Sequence, residues 1–320
     1  VGINALGSVV HGDMNGVQIT GLANLAGGTM RGVQLAGISN ISGDNTVGLS
    51  AAGLVNITGD RAQGVVISGL TSIGGDNNSG LMISGFMNVT GNMASGLHFS
   101  GVANITGQSF GGLMASGLLN VVGEHMNGLQ IAGIANITAS KLNGVQVALC
   151  NYATKARGLQ IGLVNYYKED MKGFQLGLVN ANPDTKVQMM VYGGNATPAN
   201  IGVRFKNQLF YTILGVGSMY QGLNDKFSAS ASYRAGLSFP LYKGLSISGD
   251  LGYQHIEAFD NKDEVIPKRL YALQARANLE YQFTKKFGIF ATGGYGLTRF
   301  YNKSSNYDKG AIIEAGIVLF

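Results

Sequence analysis

The sequence predicts an all-β protein: an N-terminal β-solenoid of 16-residue coils fused to a C-terminal antiparallel eight-stranded transmembrane β-barrel. Three observations predict it. Glycine stands at 16, 32, 48, 64, 80, 96, 112, 128 and 144 without a slip. From about residue 185 that period gives way to alternation of apolar and polar side chains. The links between the alternating segments are then short and long by turns.

The repeat defines the solenoid, residues 1–143. Counted from each period glycine, a second glycine falls five places on (Gly21, Gly37, Gly53) and an asparagine eight places on. The asparagines are Asn24, Asn40, Asn56, Asn88, Asn104, Asn120 and Asn136, with Ser72 the one replacement. Aliphatic side chains recur at the first, third, sixth and ninth places, as in Val17, Ile19, Leu22 and Leu25. That spacing fits no 3.6-residue helix, but it fits two short strands joined at a glycine corner. Charges gather from the twelfth place onward (Asp44, Asp60, Arg61, Asp76, Glu124, Lys141), which marks a solvent-facing turn. Equivalent residues of successive coils stack about 4.8 Å apart. Stacked asparagines can therefore bond one another as amide ladders do. Position two varies (Gln18, Ser50, Val66, Met82, His98, Met114) and reads as an outward, weakly polar contact face. A large meandering barrel with one strand per repeat would need turns alternating with a period of two strands, and these turns do not alternate.

Residues 144–184 read as atypical coils and a junction. NGVQVALCNY, RGLQIGLVNY and KGFQLGLVNA begin at 143, 157 and 172, with asparagine now seven places after glycine at Asn151, Asn165 and Asn180. End coils are expected to differ because one face loses its neighbour. Cys150, the lone cysteine, stands where neighbouring coils hold an apolar residue and is expected to be a buried thiol. Val1 already lies inside the repeat pattern, so a segment is expected upstream.

Residues 185–320 read as the barrel. FSASASYRAGLSF sets Phe227, Ala229, Ala231 and Tyr233 against Ser228, Ser230, Ser232 and Arg234; RLYALQARANLEYQF repeats the pattern. Eight candidate strands fall near 185–194, 200–206, 208–219, 227–240, 244–259, 268–283, 287–301 and 310–320. A tilted membrane-crossing strand needs about 9–11 residues. Short turns at Asn207, Leu241-Tyr-Lys and Thr284-Lys-Lys alternate with the longer QGLNDK, DNKDEVIPK and NKSSNYDK, the pattern of outer-membrane barrels. Eight strands leave an interior filled by side chains, with Arg234, Asp250, Arg276 and Glu280 expected there as ion pairs.

With these segments in view the C-terminal part resembles the small eight-stranded OmpA/OmpX-like outer-membrane barrels. AIIEAGIVLF resembles the terminal strand read by the barrel-assembly machinery, and the GLQIGLVN units resemble those of bacterial, Bacteroidota-type outer-membrane surface-repeat proteins. The resemblance implies an outer-membrane location in a diderm bacterium and contact with outer-membrane lipid. Glu314 and Phe320 share a parity, so a lipid-facing Phe320 carries Glu314 with it unless a bulge intervenes, a departure from the family's pattern. An even barrel that ends in the periplasm also starts there, which puts the solenoid on the periplasmic side.

Little in the sequence points to catalysis, and no cofactor or metal is expected. His11, His98 and His125 sit in different repeat columns and cannot stack into a metal-binding row. His255, near a strand end with Glu257 two residues on, is the one place for a lipid-modifying enzyme, which would need polar side chains converging there. Residues 1–143 hold three Lys/Arg and five Asp/Glu, residues 144–320 nineteen and twelve. The basic residues are scattered and not interleaved with aromatics, so nucleic acid is not the expected partner. The function expected is a non-enzymatic outer-membrane protein whose solenoid is a structural, protein-interaction module, as in an accessory subunit of an envelope complex. The alternative is a surface-exposed adhesin or glycan binder.

Overall fold

The computed structural model describes residues 1–218, 220, 227–259, 269–301 and 306–320. The long links QGLNDK and DNKDEVIPK, and the first half of NKSSNYDK, lie outside these residues. Contacts divide the chain into two compact units, Val1–Gly177 and Leu178–Phe320.

The first unit is a parallel β-solenoid. Strand Asn77–Ser84 pairs in parallel with Arg61–Ser68 on one side and Met93–Ser100 on the other, each residue facing its equivalent sixteen places away. The shorter strand of each coil does the same: Met87–Thr90 lies between Thr71–Gly74 and Ala103–Thr106. The glycine columns make the close stacking possible. Gly112 has φ of 128°, in the left-handed region that L side chains rarely adopt, and a Cβ there would lie 2.2 Å from the carbonyl oxygen of Gly96. From Gly144 onward the coils shorten, and the strands of successive half-coils fuse into Ala135–Val147, Cys150–Ile161 and Val164–Leu176. Bulges at Thr138/Lys141 and Ala153/Lys155 absorb the changed count.

The direction of the side chains corrects two expectations. Position two points inward: Gln18, Met82, His98, Met114 and Gln130 are all buried, so this column is no contact face. The aliphatic columns point outward, as Leu22, Ile38, Leu54, Ile83 and Phe86 show. The reason is the strand period of two. Asn at place eight and the residue at place two face the interior of the coil, so places one, three, seven and nine must face away. Cys150 lies in an outward column and is exposed, not buried.

The second unit is a closed antiparallel barrel of eight strands: Lys186–Gly194, Ala199–Asn207, Phe210–Ser218, Ser228–Tyr242, Leu245–Ala258, Arg269–Thr284, Phe287–Phe300 and Asn306–Leu319. The first and last strands pair from Met189↔Leu319 to Gly194↔Glu314 and close it. The short turns need left-handed residues, Gln208 (φ 54°) in one, and Lys243 (φ 21°) and Gly244 (φ 88°) in another. Here too the polarity is inverted. Gln188, Arg204, Arg234, Asp250, Gln274 and Arg276 are buried in the lumen, while Val216, Leu251, Leu273 and Ile313 stand on the outside. Glu314 is buried, and Phe320, of the same parity, packs against the inner cluster of Met190, Tyr192, Phe290 and Val318. No bulge is needed, because Phe320 does not face outward.

Candidate functional site

The solenoid interior carries neutral polar ladders beside apolar clusters, the largest one built on Phe110, Met114, Val122, Met126 and Leu142. Asn24 Nδ2 donates to Asn40 Oδ1 at 2.9 Å, and Asn40 to Asn56 at 3.0 Å. Asn88, Asn104, Asn120 and Asn136 continue in the same sense. The ladder runs on to Asn151 and Asn165 through the shortened coils. Each amide also reaches the backbone where the next coil turns: Asn104 Nδ2 donates to Ala115 O at 2.8 Å and Asn120 Nδ2 to Ile131 O at 2.7 Å. The corner glycine leaves that carbonyl in need of a donor, which is why the asparagine sits at this place. At Ser72 the ladder is carried by hydroxyls: Ser72 lies 2.7 Å from Ser68 and 3.0 Å from Ser84, and Ser84 donates its one proton to Asn88 Oδ1. A second ladder escaped the sequence reading because its column was assigned outward. Gln146 donates to Gln130, Gln160 to Gln146 and Gln175 to Gln160, each at 2.8 Å.

One column member differs in kind. His98 is 1% exposed between Met82 and Met114, edge-on to Phe110 at 4.9 Å. Burial without a charged partner pushes its pKa down to about 4.

The barrel lumen holds charges instead. Arg234 donates to both oxygens of Asp250 at 2.8 Å, and Tyr211 and Asn278 also donate to Asp250. Arg276 forks onto Glu314 at 3.1 and 3.2 Å. Glu280 is held by Arg204 at 2.6 and 3.0 Å, with Gln188 accepting from Arg204 Nε. Of the four lumen residues named from sequence, only Arg234 and Asp250 pair with each other. Arg276 and Glu280 each take a partner the sequence reading missed, Glu314 and Arg204. Parity could have found Glu314, had Phe320 not been assigned to lipid. Separate cavities of about 320 Å³ and 490 Å³ lie at the two ends, the first lined by Asn195, Tyr220 and Thr298 and the second by Lys186, Lys206 and Glu280. The ion pairs stand between them.

Outside the barrel, His255 Nδ1 is 2.9 Å from the Tyr301 hydroxyl, its Nε2 is 3.8 Å from Glu257, and Arg269 pairs with Glu257 at 3.4 Å. Tyr253 and Tyr271 flank Tyr301. Polar groups do converge on His255, but no serine or cysteine stands among these contacts to be activated. They are joined to an aromatic cluster at the strand ends. Ser228 and Ser230, by contrast, are buried in the lumen with Arg234. Among the described residues, no three His, Cys, Asp or Glu side chains gather as a metal site.

No protein-family model matches the sequence, and no curated protein matches it either. Among solved structures, the N-terminal β-barrel domain of Pseudomonas aeruginosa OprF is similar. It is 17% identical, with a TM-score of 0.29, and the match covers 42% of this chain and 93% of that one. The barrel assignment rests on the strand pairing described above and not on this likeness. What the geometry establishes is a closed eight-stranded β-barrel with a charged lumen, joined in sequence to a β-solenoid whose interior combines amide ladders with apolar clusters such as Phe110, Met114, Met126 and Leu142 and whose outward columns are apolar.

Proposed function

We propose that the chain is a non-enzymatic outer-membrane protein: the barrel anchors it, and the solenoid is a structural interaction module. The observation that carries the membrane reading is the spacing of aromatics along an inside-out barrel. On strand Arg269–Thr284, Tyr271 and Tyr281 face outward with Leu273, Ala275, Ala277 and Leu279 between them. Ten residues span about 34 Å of strand, or about 25 Å along the axis at a tilt near 40°, which matches the apolar band of outer-membrane barrels. Tyr281, Phe283 and Phe287 form one belt, with ring centroids 4.8 and 6.1 Å apart. Tyr253, Tyr271 and Tyr301 form the other, at 6.2 and 5.1 Å. A lumen filled by ion pairs favours an anchor over a pore. The first strand starts and the last ends at the short-turn end, which favours a periplasmic solenoid if short turns face the periplasm. A glycan-binding surface is less well supported, because the outward columns offer few hydrogen-bonding side chains.

The test is membrane fractionation combined with a protease site inserted in the exposed bend between Gly59 and Asp60, ahead of strand Arg61–Ser68. Recovery with the outer membrane, and cleavage only after permeabilisation, is the expected result. Cleavage on intact cells would reverse the sidedness and bring adhesion forward.

A further inference from the structure

We infer that the outward face of the solenoid is covered by the acyl-chain layer of a lipid membrane, so that the solenoid is itself inserted into one leaflet. The proposal names the partner of the interaction module and rests on the reading of the chain as a membrane protein.

Five columns make up this face, at places one, three, six, seven and nine. In one coil they are Leu81, Ile83, Phe86, Met87 and Val89. Followed by strand register into the shortened coils, where Cys150 pairs with Ala135 and Tyr152 with Ile137, these columns hold no charged residue and no amide side chain from Val17 to Leu176; Ser39, Thr71, Cys150, Tyr152 and Tyr166 are the only departures from aliphatic, methionine or phenylalanine side chains. The columns wrap around the glycine corner, so the apolar surface is continuous from one sheet face to the other. Every charged residue of 1–143 lies in the turn columns at the opposite edge, as Arg31, Asp60, Arg61 and Asp76 do. The cross-section is therefore amphipathic in one direction only, the arrangement of an element lying in a membrane interface.

Size and chemistry decide between lipid and protein as the cover. Eleven coils at about 4.8 Å, each presenting eight residue steps of about 3.3 Å, give a face on the order of 1,300 Å². The largest apolar patch on a typical monomer is roughly 300–600 Å². A protein partner across such an area would make about ten hydrogen bonds. This face has few side chains to make them, and its backbone groups are spent on the ladders to the coils above and below. Acyl chains ask for no hydrogen bonds, and they tolerate only backbone that is satisfied internally. Charge complements this at one end. Tyr152 and Tyr166 stack at 5.8 Å in the last coils, whose Lys155, Arg157, Lys168 and Lys172 outnumber Glu169 and Asp170. Aromatic and basic side chains together suit the headgroup layer of an anionic leaflet.

The exposed Cys150, the chain's one cysteine, supplies the probe. The full chain is labelled there with an environment-sensitive fluorophore and reconstituted into phosphatidylethanolamine/phosphatidylglycerol vesicles with or without doxyl groups on the acyl chains. A second sample carries the label on the charged turn, in the Cys150→Ser, Asp60→Cys variant. Lipid cover predicts a blue-shifted Cys150 label, quenched several-fold more by doxyl lipid than by aqueous iodide, with the reverse preference at residue 60. Quenching of the Cys150 label by iodide alone overturns the proposal. Shielding from both quenchers also overturns it, since the face would then be closed by a second copy. Heat-modifiable migration of the same samples reports barrel folding independently, so failure of the solenoid proposal is distinguishable from failure of the barrel reading.

Discussion

Solenoid and barrel both turn apolar side chains outward, yet the polar part of one interior is neutral amides, set beside buried residues such as Met30, Phe110 and Leu142, and that of the other is ion pairs. The difference follows from how each brings residues together. In the solenoid a residue meets the residue at the same place one coil away, so a side chain repeated at an inward place is stacked on its own copies. A column of one charge would set like charges about 4.8 Å apart, a repulsion of roughly 3–4 kcal/mol per neighbouring pair at an effective dielectric near 20. Side chains that are donor and acceptor at once, Asn and Gln, are the ones that can stack on themselves. In the barrel, antiparallel strands bring unlike residues face to face across a narrow lumen, and opposite charges can meet. Arg204, Arg234 and Arg276 each find a different carboxylate, Glu280, Asp250 and Glu314.

A charge placed in a ladder should break the solenoid most severely. Asn104→Asp is nearly isosteric, but it removes the donor to Asn120 Oδ1 and to Ala115 O and sets acceptor against acceptor. With no cation to pair, the cost is expected to be about 5 kcal/mol. Hydrogen exchange resolved along the chain should show the loss centred on the coils around Gly96 and Gly112. Protection equal to the wild type there would mean that the ladder is not what holds the coils.

The barrel should respond to the opposite change. Arg234→Ala leaves Asp250 buried with Tyr211 and Asn278 as its remaining donors among the described residues, at a cost of about 4 kcal/mol. Replacing both partners by apolar residues, Arg234→Met with Asp250→Leu, should recover most of it, because no lone charge is left in the lumen. Urea titration of the folded barrel in detergent, read by its electrophoretic shift, measures both. A double variant no better than the single would show that the pair stabilises well beyond the cost of burying it.

The repeat and the barrel strands were legible in sequence because each rests on a period. Sixteen-residue identity forces parallel stacking, and two-residue alternation forces one face in and one out. Which face is in was not legible for the solenoid. Val17 and Ile19 read as core by hydrophobicity, and only the asparagine at place eight, which must meet its copies, argues that places one and three look outward. The same inversion exposed Cys150. In the lumen, Arg234, Asp250, Arg276 and Glu280 were visible as inward parity, but their pairing was not. Arg276 lies opposite Asp250 in strand register yet turns to Glu314, two strands away across the lumen. Register fixes which backbone atoms meet, whereas long side chains choose partners by the space left in a filled tube. Arg204 lay in a short strand whose alternation gave little warning of a charge.

The smallest effect expected, and the one that probes the solenoid's neutrality most directly, is that of His98. Its folded pKa of about 4 lies below the ordinary value of 6.5. Above pH 6.5 the ring is neutral in both folded and unfolded chains, and the full stability is present. As pH falls from 6.5 to 4 the unfolded chain takes up a proton that the buried ring refuses, so stability declines by about 1.4 kcal/mol per pH unit, roughly 3 kcal/mol across the window. Below pH 4 both forms are protonated and this contribution stays lost. His98→Met puts into the column the residue already present at Met82 and Met114 and should remove this dependence. The comparison is wild type against His98→Met, with solenoid unfolding measured at pH 7.5 and 4.5, so that the carboxylates common to both cancel. Equal acid sensitivity in the two chains would mean that this column tolerates a buried imidazolium, and that neutrality is not the rule that separates the solenoid's interior from the barrel's.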